Sequence, residues 1–103
     1  MPTLEEALGY LGIDYADDVI RANVTRTMAT ARQVLLGAVG EDVETYLPGD
    51  PRISELILIY TDDLYSERGI RAKVSNATRH LVANMVLQLK LELARKKVEE
   101  AGA

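Results

Sequence analysis

Apolar and polar positions follow a three- and four-residue spacing along most of the chain, which predicts amphipathic helices. The clearest case is the segment 73–97, which contains neither Gly nor Pro. Ser75 or Asn76 can cap its start, because a short side-chain oxygen accepts an N–H of the first turn. The apolar stripe is broad, so we expect this helix to be covered on more than one side and to organise the fold. Its apolar positions are Ala77, Leu81, Met85, Leu89 and Leu93, widened by Val74, Val82, Val86 and Leu91.

One polar residue, Gln88, interrupts this stripe between Leu87 and Leu89. A buried amide costs free energy unless it is hydrogen bonded. Gln88 therefore finds a partner within its own chain or lies at a contact between subunits. The second alternative makes it a candidate interface residue, and the sequence does not decide between the two.

Two helices are expected before residue 41. Thr3 and Glu6 have the spacing of a capping box, which predicts a helix of about two turns that ends near residue 10 or 11. Asp14 is the expected cap of a second helix, which runs from residue 17 to about 39. Gly37 and Gly40 mark the region where it ends. Its predicted core face consists of Ile20, Val24, Thr27, Ala31, Val34 or Leu35, and Ala38.

A polar, acidic connection is expected over residues 41–50. Asp50 and Pro51 then predict the start of a third helix, because Asp is a good cap and Pro suits the first helical position. This helix is apolar nearly all round, which indicates burial on two sides, and Gly69 is expected to end it. Its predicted core residues are Ile53, Leu56, Ile57, Tyr60 and Leu64.

These elements predict an all-α fold: a small helical bundle of one short N-terminal helix and three longer helices, in a single domain over residues 1–103. The chain is 48% hydrophobic and 27% charged, which is typical of a globular protein. It has no Phe, Trp or Cys, so the core must be aliphatic and disulfides are excluded. No apolar run reaches membrane length and no signal-peptide pattern is present, so we expect an intracellular product without membrane contact.

Charge is divided unevenly along the chain. The first 67 residues carry 13 Asp and Glu against 4 Arg, a net charge of −9, whereas residues 68–103 carry a net charge of +5. The two halves can each solvate their own surface or pair within one bundle. Alternatively, the acidic side of one subunit meets the basic side of another.

Residue patterns for catalysis or metal binding are missing. The single histidine, His80, has no nucleophile or carboxylate motif to serve, and the aspartates at 14, 17 and 18 lack the central Gly and closing Glu of a calcium loop. Asp62 and Asp63 are adjacent and point in different directions on a helix, so they do not form an acid–base pair. We therefore expect no enzyme activity, no cofactor and no bound metal.

Three segments together resemble the small head–tail connector proteins of tailed double-stranded DNA phages, often described as DNA-packaging proteins. They are LEEALGYLGID at the N-terminus, ELILIYTDDLYSERG in the third helix and LVANMVLQLKLEL in the last helix. The resemblance in their order and spacing spans nearly the whole chain, and the region 37–51 fits the pattern least well.

The resemblance implies a structural virion protein at the head–tail junction, made in the cytoplasm of a bacterial host. Such proteins form a homo-oligomeric ring, here of about twelve subunits, beneath the portal protein. The ring extends the DNA channel after packaging, binds a tail or stopper protein, and lets double-stranded DNA pass without sequence-specific binding.

Charge and position select the residues expected at the subunit contact, the portal contact or the channel. Reversal of Arg71 and Lys73 to Glu should then weaken assembly without loss of helicity. A second acidic set, Glu41, Asp42 and Glu44, is an alternative lining. The main candidates are Asp62, Asp63, Glu67, Arg68, Arg71, Lys73, Arg79 and Gln88.

The alternative function is a small helical regulatory module that dimerises and binds nucleic acid or a partner protein. The basic residues around Arg68, Arg71 and Arg79 could contact phosphates, although no aromatic residues lie between them for base stacking. Retardation of duplex DNA at moderate salt would favour this module, and a large closed oligomer would favour the connector.

Overall fold

A computed structural model of the chain describes residues 1–66 and 76–102, and every regular element within those ranges is an α-helix. The predicted all-α class is therefore confirmed. The helices in these ranges are α1 (Leu4–Leu11), α2 (Asp18–Val39), α3 (Val43–Tyr46), α4 (Pro51–Ser66) and α5 (Asn76–Ala101).

The start of α1 has the predicted capping box. The backbone N–H of Glu6 donates to Thr3 Oγ1, and the backbone N–H of Thr3 donates to Glu6 Oε1, both at 3.1 Å. The helix ends at Gly12, whose φ of 74° is in the left-handed region that glycine adopts without strain. Its buried residues, Ala7 and Leu8, face α2 and α4.

The cap of α2 differs from the prediction. Asp17, not Asp14, is the N-cap, and its Oδ1 accepts a 2.8 Å hydrogen bond from the backbone N–H of Ile20. A cap side chain reaches only the second or third helical residue, so it must directly precede the first one. That residue is Asp18, which leaves Asp14 too far upstream.

The connection between α2 and α4 contains a short helix that the sequence did not predict. This helix, α3, covers only four residues, too few for any apolar periodicity to be visible. Val43 at its start is fully buried and Leu47 after its end is nearly so. Both belong to the main core cluster, so the acidic connection also contributes to the core.

The centre of the bundle is the pair α2 and α4. Helix α4 contacts α1, α2 and α5, which confirms its predicted burial on two sides. Leu56 and Ile57 on α4 are fully buried and join Leu35 of α2 in the main cluster. A smaller cluster holds α1 against the first half of α2 and the second half of α4.

Helix α5 is more peripheral than predicted. Among the residues of this helix whose burial is described, only Leu89 and Leu93 are fully or almost fully buried, with Val82 and Val86 half-buried beside them. Leu81, which belonged to the predicted buried stripe, has 51% of its surface exposed. We expected other helices to pack against more than one side of α5, but the described part of a single chain does not provide this packing.

Two predicted boundaries, the stop at Gly69 and a cap at Ser75, lie outside the described residues. In the ranges that the structure does describe, no helix is both long and apolar enough to cross a membrane.

Candidate functional site

The predicted site residues fall into two groups of equal size. Asp62, Asp63, Arg79 and Gln88 lie on described helices, whereas the remaining four lie outside the described residues. Those four are Glu67, Arg68, Arg71 and Lys73.

Asp63 and Arg79 are brought together at one groove between α4 and α5. The groove has a volume of about 270 Å³, and its walls include Ile59, Tyr60 and Val82. Burial raises the pKa of the Tyr60 hydroxyl, as expected for a phenol placed against an apolar wall. Among the described residues, the groove therefore combines an apolar wall with one anionic and one cationic side chain.

Asp62 lies elsewhere on α4 and is half-buried. The pKa of the Tyr10 hydroxyl on α1 is raised chiefly by burial. The negative charge of Glu55, and then that of Asp62, raises it further. The neighbouring aspartates at 62 and 63 thus face different surroundings, as their helical spacing predicts.

Gln88 is not a buried amide. Its side chain is exposed, and its Oε1 accepts a hydrogen bond of 3.4 Å from Arg52 Nη1 of α4. The expectation that it lies within the buried stripe is wrong, because the face of α5 that packs on the core is centred on Leu89 and Leu93. Gln88 lies beside that face.

Arg52 forms the most extensive polar contact in the described residues, and the sequence did not reveal it. Its guanidinium donates to Asp50 Oδ2 at 2.7 Å and to Glu92 Oε2 of α5 at 2.6 Å. Through these hydrogen bonds Arg52 holds the pKa of Asp50 and of Glu92 below their usual values, and both carboxylates raise the pKa of Arg52. Arg52 therefore ties the start of α4 to the middle of α5.

Ion pairs between described residues offset little of the charge asymmetry. Among the described residues, one pair, Asp42–Lys97 at 2.9 Å, joins a carboxylate of the acidic half to a cation of the basic half. Lys97 also lies 5.9 Å above the ring of Tyr46. Arg21 and Arg32 instead pair with acids of their own half. The described parts of the two halves therefore retain surfaces of opposite sign.

The outer face of α5, formed by Leu87, Leu91, Ala94 and Val98, is an exposed apolar stripe. Leu87, Leu91 and Val98 keep 55%, 62% and 72% of their surface exposed. Leu91 is two residues from both Leu89 and Leu93, so its side chain points about 200° away from theirs on the helix. Leu87, Leu91, Ala94 and Val98 are spaced by four, three and four residues, and this spacing in the sequence is the signal of a second apolar stripe, separate from the one that contains Leu89 and Leu93.

The acidic patch, formed by Asp14, Tyr15, Asp18 and Val19, lies at the junction of α1 and α2. Tyr15 and Val19 keep 84% and 68% of their surface exposed, and the value for Tyr15 is the highest among the large hydrophobic residues whose burial is described. Asp14 and Asp18 are also exposed, and neither forms an ion pair with any residue that the structure describes. This surface therefore exposes two large apolar side chains and two carboxylates within six residues of the chain.

Comparisons of the chain with protein-family models, with curated proteins and with solved structures found no match. In the described residues, no three His, Asp or Glu side chains converge as metal ligands would. The surfaces that we consider as candidate interaction sites are the groove, the outer face of α5 and the acidic patch.

Proposed function

We propose that this chain is a structural subunit of a phage head–tail connector. It assembles as a ring under the portal protein, extends the DNA channel and joins the head to a tail or stopper protein in the virion. It acts without catalysis, cofactor or metal.

The division of charge between two regions of one chain carries this proposal. A ring requires a heterologous contact, in which two different surfaces of each subunit meet. The acidic first 67 residues and the basic remainder supply such surfaces. Within the described residues, Asp42–Lys97 is the one ion pair between an acid of the first region and a cation of the second. The order of the three connector-like segments and the small all-α fold agree with the same assignment.

The net charge of −4 suits a conduit for DNA. Duplex binding depends on Lys and Arg neutralising phosphates, so an acidic wall opposes tight binding and lets the duplex pass. The acidic residues at 62 and 63, or those at 41, 42 and 44, are the described candidates for this wall.

The decisive measurement is the solution mass by light scattering over a range of protein and salt concentration. We expect a discrete oligomer of about twelve subunits that dissociates at high salt, because charged surfaces are screened there. A stable dimer that retards duplex DNA at moderate salt would overturn the connector in favour of the regulatory module. A monomer at every concentration would contradict self-assembly by the isolated chain.

A further inference from the structure

We propose that the outer face of α5 binds the acidic patch of a second copy of this chain. The inference rests on the self-assembly in the proposed function and names the two surfaces that meet.

The outer face of α5 has the form of a helix-packing surface. Its residues continue a spacing of three and four that begins at Asn84 and ends at Ala101, which gives a stripe about 26 Å long. Large exposed side chains in one contiguous row are unusual on a monomer and mark an interaction surface. The stripe lies on the side of α5 away from Leu89 and Leu93, so burying it would not disturb the core.

The charges beside this stripe argue against pairing with a second α5. In paired helices, the residues that flank the apolar seam meet across it and decide the choice of partner. Here the flanking positions on one side are Lys90 and Lys97, and on the other Gln88 and Arg95. Lys97 already pairs with Asp42, and Arg95 lies 3.8 Å from Glu99, so Lys90 is the flanking cation without an ion pair to a described residue. Two copies of α5, parallel or antiparallel, would therefore bring cations against cations. The preferred partner is an anionic surface that also exposes large apolar side chains.

The acidic patch has these properties. Tyr15 and Val19 can bury their exposed side chains against Leu87 and Leu91, while Asp14 and Asp18 supply negative charge opposite Lys90 and Arg95. Such complementarity favours the correct encounter and penalises like-charged partners.

The two surfaces belong to different elements of the chain, so the contact is heterologous. The α5 of each copy binds the acidic patch of one neighbour, and the acidic patch of the same copy binds α5 of the other neighbour. Repetition of such a contact closes into a ring when the rotation between copies allows it.

Cysteine cross-linking tests the contact directly, because the chain contains no Cys of its own. A Val19→Cys chain and an affinity-tagged Leu91→Cys chain are mixed and treated with a short bis-maleimide. The matched control replaces Val19→Cys with Val34→Cys, an exposed valine elsewhere on α2. We expect the 19–91 product to form about tenfold faster than the 34–91 product, because prior association raises the local thiol concentration.

Three outcomes would overturn the proposal. Equal rates for the 19–91 and 34–91 pairs would show that the acidic patch is not the partner surface. Preferred cross-linking of Leu91→Cys to itself would show that α5 pairs with α5. A discrete oligomer by light scattering without the 19–91 product would reject this interface and leave the proposed connector intact.

Discussion

Arg52 of α4 and Glu92 of α5 form a two-pronged ion pair: Nη1 donates to Oε1 at 3.0 Å and Nη2 donates to Oε2 at 2.6 Å. This planar arrangement is the strongest geometry available to an arginine and a carboxylate. Arg52 also binds Asp50, so one half-buried cation links two acids that are distant in sequence. Between described residues, few other polar contacts hold α5 to the rest of the chain, so we expect mutation of Arg52 to have a measurable effect on stability.

We expect Arg52→Met to lower the free energy of unfolding at pH 7 by about 1–2 kcal/mol, because charged hydrogen bonds are lost from a partly exposed site. The pKa of Asp50 and of Glu92 is depressed in the folded chain. Their stabilisation is therefore present above the unfolded pKa of about 4 and is lost as the pH falls through the lower folded pKa. Urea unfolding from pH 7 to pH 3 should show a shallower loss of stability in the variant than in the parent chain.

The matched control for this prediction is Arg26→Met, which removes an exposed arginine of α2 that has no ion pair with a described residue. It should leave both the stability at pH 7 and its pH dependence nearly unchanged. If Arg52→Met lost stability in parallel with the parent chain at every pH, the ion-pair explanation would be wrong.

Gly40 and Gly37 should respond in opposite ways to substitution by Ala. Gly40 has a φ of 147°, and a Cβ there would lie 2.7 Å from Leu93 Cδ2, so we expect Gly40→Ala to destabilise the fold by about 1–3 kcal/mol. Gly37 lies inside α2 with open space around it, so Gly37→Ala should stabilise by about 0.5–1 kcal/mol. Thermal unfolding of the two variants measures both effects. A tolerated Gly40→Ala would contradict the close packing of α5 at this point.

Local interactions account for what the sequence predicted correctly. Thr3 and Glu6 are three residues apart, and Asp50 directly precedes Pro51, so the starts of α1 and α4 could be derived from adjacent residues. The Arg52–Glu92 pair joins residues 40 positions apart and depends on how α4 meets α5. No local pattern predicts such a contact.

The error at α5 has a different cause. Its apolar residues form two stripes on opposite sides, one centred on Leu89 and Leu93 and the other including Leu91. A list of apolar positions combines the two stripes into one broad stripe and therefore predicts a buried Gln88, whereas the side chain is exposed. Separating the stripes by their angle on the helix would have predicted an outer face that a single chain leaves uncovered.

Thr61 provides a test of the α4 core. Its side chain is almost fully buried, and its Oγ1 donates a 2.6 Å hydrogen bond to the carbonyl of Ile57. Thr61→Val keeps the shape, and the Ile57 carbonyl keeps its helical hydrogen bond, so the free energy of unfolding should change by less than about 1 kcal/mol. Thr61→Ala removes a methyl group as well and should lose about 1 kcal/mol or more. A large loss in Thr61→Val would show that the hydroxyl has a further structural role.

Charge reversal on α5 should weaken association without affecting the monomer. We expect Lys90→Glu to raise the dissociation constant about tenfold, or about 1.4 kcal/mol, because it puts a carboxylate opposite the acidic patch. Lys96→Glu makes the same change in charge on another side of the helix and should have a much smaller effect. Mixing Lys90→Glu chains with Asp14→Lys chains should restore the affinity at low salt, as measured by sedimentation velocity. If Lys90→Glu and Lys96→Glu weakened association equally, net charge alone, and not contact between these two surfaces, would govern assembly.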